Sequence, residues 1–183
     1  MNWLDTIFVL FAAFLAVFCE TYFQGVRHLL GAQIDLLPPL MVYASLSAGL
    51  GTVVSLAVCG GLWFDSLSAN PLGVSVLPLL MVGMGIYANR ELILRAQTFA
   101  RLVLGLAASS TVPLLTLIFL LTTGHRPLLG WGTLWQLLVI SVGGAILTPL
   151  CFEIFAWLHR LFGPVHVSEP SFRPDREIRR GRG

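Results

Sequence analysis

Apolar residues run through this chain in long blocks broken by short polar stretches, with no sustained alternation of the kind strands show. The first block, LDTIFVLFAAFLAVFCETYF, covers residues 4–23. As a helix it is long enough for the ~30 Å hydrocarbon core of a bilayer. Trp3 and Tyr22 sit at its two ends, where aromatic belts form. A polar connection, QGVRHLLGAQ, follows. Residues 36–63 are a continuous apolar run of 28, ~42 Å as a single helix. It reads either as one tilted helix or as two short ones, 36–48 and 49–64, parted near SAGLG where Gly49 and Gly51 weaken the helix. Further blocks cover 72–89, 102–122 and 131–158. Between them, RELILRAQTFAR reads as an interfacial connector with Glu91 and Arg95 at i, i+4 spacing, and GHRPLLG reads as a turn.

Composition turns these blocks into membrane spans. Hydrophobic residues make up 56% of the 183 and charged residues 11%, against about 25% charged in a soluble domain. Mean hydropathy is +0.84. The expectation is one all-α, polytopic membrane domain over residues 1–162. A disordered, Arg-rich tail is expected over residues 163–183. The N-terminus, MNWLD, lacks the basic start of a cleaved signal peptide, and Phe18 before Cys19 argues against lipidation there.

All eleven basic residues are Arg, and their placement sets orientation. With six spans, nine Arg share the side of both termini and only Arg27 and Arg126 face the other way. With five, the split is ten to one. Either way the C-terminus is expected in the cytoplasm, and charge alone does not choose between five and six spans. The tail Arg residues are interleaved with Asp175 and Glu177. They read as a topology anchor on anionic lipid or as a docking site for a cytoplasmic partner.

Candidate chemistry is sparse. Asp5, Asp35 and Glu91 lie at span ends and are expected to be solvated; Glu20 can reach headgroups or Arg27. Glu153 is the most internal acid, read as a snorkelling carboxylate held by Arg or His159, or as a functional intramembrane acid. The four His residues lack metal-ligand spacing. The Ser109–Thr111 cluster has no His or Lys in its span to activate a hydroxyl. Cys19, Cys59 and Cys151 are far apart and read as small buried hydrophobes. No cofactor, metal or nucleic-acid partner is expected. Small residues are more informative. Ala12 and Ala16 form a small-xxx-small pair, and Ala44, Ala48, Gly49 and Gly51 crowd a second region, as helix-packing faces do.

The stretch GGLWFDSLSANPLG, residues 60–73, places a carboxylate and a proline between two apolar blocks. Asp65 is suited to capping backbone N–H groups at the turn. Asn70-Pro71 is expected to fix that turn, Pro71 suits the first position of a new helix, and Gly60, Gly61 and Gly73 allow close approach. The alternative for Asp65 is direct contact with a partner.

Residues 34–83, from IDLLPPLMVYASLSAGLG to LPLLMVG, resemble the core of the rod shape-determining MreD family. The family pattern is an apolar segment opening on Asp, a glycine-spaced helix, a turn of the form G-(x)-L-x-x-D-x-x-(small)-x-P-L-G, and another apolar span. Gly60, Gly61, Leu62, Asp65, Pro71, Leu72 and Gly73 match that turn in order. Trp63-Phe64 depart from it, where smaller aliphatics are usual, and so does the Arg-rich tail. The broader likeness covers residues 3–162. It implies a six-transmembrane-helix bundle similar to the substrate-binding S subunits of energy-coupling-factor vitamin transporters, which favours the broken reading of residues 36–63. It also implies a non-enzymatic scaffold of the elongasome in the bacterial inner membrane. The implied partners are an MreC-like bitopic protein, an MreB-like cytoskeleton, a RodA-type transglycosylase and its penicillin-binding partner. The rival is a vitamin-transport S subunit of the same fold, to which the Ala12–Ala16 pair is similar. A third reading, an intramembrane enzyme, has only Glu153 and the Ser109–Thr111 cluster behind it.

Overall fold

Two prolines in its first turn and an extended exit at Ala48 confine the second helix to eleven residues, Leu37–Ser47. This helix organises the whole bundle in the computed structural model, which describes residues 3–22, 34–68, 71–91, 98–123 and 130–162. Six α-helices make up the described residues: α1 (Trp3–Tyr22), α2 (Leu37–Ser47), α3 (Leu50–Leu67), α4 (Val76–Ala88), α5 (Thr98–Thr122) and α6 (Trp131–Phe162). The apolar run at 36–63 is therefore broken, with Ala48 and Gly49 in extended conformation between α2 and α3. The tail beyond 162, Arg27, Arg95, Arg126 and Asn70 lie outside the described residues.

At ~1.5 Å per residue α2 is only ~16 Å long. It is apolar around its circumference, and every residue from Leu37 to Leu46 is buried. A helix of that kind must be covered on all sides, and α1, α3, α4, α5 and α6 all pack on it. Ser45 shows how closely: its hydroxyl donates to the Gly83 carbonyl of α4 at 3.1 Å. A Cβ on Gly83 would lie 2.7 Å from Met41 Sδ.

Contacts along the bundle reveal its two ends. At one, the end of α1 meets the start of α2 (Glu20 with Leu36) and the end of α3 meets the approach to α4 (Asp65 with Gly73 and Ser75). At the other, Thr6 near the start of α1 bonds Thr52 near the start of α3, hydroxyl to hydroxyl, at 2.8 Å. There Tyr43 stacks on Phe155 at 4.2 Å, and its hydroxyl lies 3.5 Å from His159 Nε2. The Arg101 guanidinium covers the Phe152 ring at 4.4 Å. Arg101 thus belongs to α5, which starts a turn earlier than the apolar block suggested.

Among the described residues three helices are long and apolar enough to cross a membrane: α3, α5 and α6 up to Arg160. Their outer faces stay apolar and exposed, with Leu106, Ile118, Leu138 and Ile146 among the large side chains there. Without lipid such a surface has no suitable solvent, so the protein is membrane-embedded.

Candidate functional site

Acidic side chains gather at the end of the bundle where α2 begins. Asp65 is in the last turn of α3 and only 1% exposed. Its Oδ2 accepts the backbone N–H groups of Gly73 at 2.8 Å and Ser75 at 3.1 Å. Those amides lead into α4, which has no side-chain cap of its own at Ser75. One carboxylate oxygen therefore ties the end of α3 to the start of α4, while Oδ1 is buried without a hydrogen-bond partner. Glu20 and Asp35 do the same for α2. Glu20 Oε1 accepts the Leu36 N–H and Asp35 Oδ1 accepts the Leu37 N–H at 2.9 Å. Asp35 departs from its expected course; for Glu20 the alternative of reaching Arg27 lies outside the described residues. Glu20 turns to Leu36 rather than to a headgroup, and Asp35 is half-buried and engaged in capping. Burial raises the Asp35 carboxyl, which precedes α2, to about 6, against the lowering effect of its bond from Leu37.

The glycines of the turn separate into two kinds. Gly61 permits close approach: a Cβ there would lie 2.9 Å from Val76 Cα and 3.0 Å from Val76 N. Gly60 is similar and milder, facing Leu37 Cδ2 at 3.1 Å. Gly73 needs correction. Nothing lies within 4 Å of a Cβ placed on it, and its φ is +91°. The position requires a backbone conformation open to glycine, not room for a neighbour. Pro71 also differs from expectation. Its carbonyl accepts the Val74 N–H at 3.3 Å, so it opens the turn five residues before α4 begins at Val76.

The small-residue faces are only partly as expected. Ala44 is fully buried, but Ala12, Ala16, Ala48 and Gly49 are half-buried and Gly51 is exposed. On α1 the inward stripe is Val9, Ala13 and Val17. The tightest seam lies elsewhere, between α5 and α6. A Cβ on Gly105 would collide with the Thr148 side chain, and one on Gly144 with Ser109. Gly105-x-x-x-Ser109 and Gly144-x-x-x-Thr148 are small-xxx-small pairs, the sequence signal that would have found this seam. Ser109 is fully buried in it, its hydroxyl unpartnered, while Ser110 and Thr111 donate to the Ala107 carbonyl. Glu153 is exposed on α6 beside Ile154, so it does not face the bundle interior. The three cysteines are free and half-buried on α1, α3 and α6. Among the described residues no group of three His, Cys, Asp or Glu could hold a metal ion.

A cavity of about 200 Å³ opens at the acidic end, inside the ring formed by α2 to α6. Its wall is mainly aliphatic, with Asp35, Ser75, Thr116 and Gln136 as its polar members. Sequence reasoning assigned none of these to a pocket, because the four come from four separate segments. No family model, curated protein or solved structure matches this chain.

Proposed function

We propose that this chain is a non-enzymatic scaffold of the elongasome, an MreD-type protein that organises lateral peptidoglycan synthesis. The observation that supports the reading most is the Asp65 clasp. In the turn that carries the family resemblance, Asp65, Gly61 and Gly73 all serve the junction of α3 and α4. A rigid hairpin is what a docking platform needs, since pre-ordered surfaces lose less entropy on binding. In this reading the six helices form six passes of the bacterial inner membrane in a fold similar to transporter S subunits, with the short α2 enclosed by the other helices and its connections completing its pass. The alternating helix directions bring the start of α1 and the end of α6 to the same end as Arg90, Arg101 and Arg160. By the positive-inside rule that end is cytoplasmic. The partners are an MreC-like bitopic protein, an MreB-like filament, and a RodA-type transglycosylase with its penicillin-binding protein. Membrane lipid covers the remaining apolar surface.

Cross-linking a tagged copy in growing cells tests this. Recovery of the MreC-like and RodA-type proteins is expected, and their absence beside an intact, abundant bait contradicts it. The cavity favours a second reading, a vitamin-transport S subunit. Its few polar groups limit the specificity such a pocket can have, and growth on limiting vitamin with and without the gene separates the two.

A further inference from the structure

The cavity at the acidic end has features that helix packing does not use. At about 200 Å³ it exceeds the roughly 150 Å³ engineered cavity that holds benzene, so it suits a body of roughly six to ten non-hydrogen atoms. Leu37, Phe64, Leu79 and Leu120 supply an apolar lining. Four polar groups interrupt it: Thr116, whose hydroxyl already donates to the Val112 carbonyl at 2.9 Å, the exposed Gln136, and the two that matter here, Asp35 and Ser75. Asp35 gives one oxygen to the Leu37 N–H, and no cation among the described residues pairs with its carboxylate. Ser75 is only 4% exposed, lines the cavity, and makes no side-chain capping bond to α4. A hydroxyl not engaged in capping and set in the cavity wall is available to a molecule bound there.

We propose that the cavity binds a small organic cation, with its apolar body against the aliphatic wall and its ammonium group donating to the Asp35 carboxylate and the Ser75 hydroxyl. An ammonium has three donors and no acceptor, which matches a carboxylate and a hydroxyl lining one apolar chamber. Glu20 stands behind Asp35, bonded to the preceding amide at Leu36. An anion would be repelled. A lipid acyl chain would leave Asp35 and Ser75 without partners. A divalent metal would find one carboxylate and a hydroxyl, too few hard ligands. The half-buried position of Asp35 keeps the entrance reachable. This inference is independent of the scaffold reading: the site can exist on a scaffold or on a transport subunit.

The test is calorimetry on the full-length protein in nanodiscs at pH 8, where Asp35 is ionised, with empty nanodiscs as the blank. The probes are 2-phenylethylamine and its neutral isostere 2-phenylethanol. The amine is expected to bind at least tenfold more tightly. Asp35→Asn keeps an acceptor for the Leu37 N–H and is expected to bind both probes alike; Ser75→Ala is expected to weaken the amine by about threefold. Circular dichroism and thermal melting of each variant confirm that the fold is kept. Equal binding of the two probes to the unaltered protein overturns the proposal. So does an amine preference that survives Asp35→Asn, or the absence of saturable binding by the amine.

Discussion

Asp65 Oδ2 lies 2.8 Å from the backbone nitrogen of Gly73, eight residues further along the chain. With the second bond from Ser75 N–H, this contact closes the α3–α4 hairpin from inside. Removing the acceptor leaves two amides at a buried junction without their partner. Asp65→Ala is expected to cost about 1–3 kcal/mol, read as a lower melting temperature and a smaller folded fraction in detergent. Asp65→Asn keeps an acceptor oxygen and is expected to stay near the parent protein in abundance and in capture of the MreC-like partner. Normal abundance with lost capture would instead make Asp65 a partner contact.

Gly61 and Gly73 respond to substitution in different ways. At Gly73 the cost comes from the positive φ, about 1–3 kcal/mol for a residue with a Cβ. Gly73→Ala and Gly73→Leu are expected to lose similar stability, and Gly73→Asn less, because Asn tolerates that region. At Gly61 the obstacle is Val76 backbone, so the loss should grow with side-chain size, with Gly61→Leu well below Gly61→Ala. Melting temperatures of these five variants check the contrast. A size dependence at Gly73 would contradict it.

The α5–α6 seam predicts the effect of a serine substitution as well as a glycine one. Ser109→Ala removes a buried, unpartnered hydroxyl and is expected to be neutral or to stabilise by up to about 1 kcal/mol. Function in a complementation assay should be retained. Gly144→Val drives a side chain into Ser109 and is expected to cost about 1–3 kcal/mol. Loss of complementation by Ser109→Ala at normal abundance would revive a nucleophilic role for that serine.

How much of this was legible in the sequence differs from helix to helix. The break at Ala48–Gly49 was half legible: two glycines mark where an apolar run could part, but a single tilted helix fits the same residues, and only the family resemblance favoured the break. Asp65 could be read because a carboxylate in so apolar a chain has few uses beyond capping. The seam at Gly105, Ser109, Gly144 and Thr148 was missed for a physical reason. In a chain surrounded by lipid both faces of a helix are apolar, so periodicity does not mark the inward one. Only the small residues do, and those of α5 and α6 lie some forty positions apart. Gly73 was assigned to close approach because sequence identifies a glycine without revealing whether its missing Cβ or its φ matters. The pairing of Glu20 with Leu36 depends on where α1 ends relative to α2, which spacing along the chain does not encode.

Topology gives a further expectation. Both termini are expected on the cytoplasmic side, at the end of the bundle that holds Arg90, Arg101 and Arg160. A reporter active only in the cytoplasm, fused at Met1 or at Gly183, should be active at both positions. Activity at one terminus alone would mean an odd number of crossings and would contradict the six-span proposal.

The scaffold proposal is tested most directly by depleting this chain from its own bacterium and measuring cell shape. Elongated cells are expected to become round or swollen, to recover when the unaltered chain is restored, and to keep their uptake of every vitamin unchanged throughout. Cells that keep their shape after depletion while failing to grow on limiting vitamin would contradict the scaffold and make the protein a transport subunit.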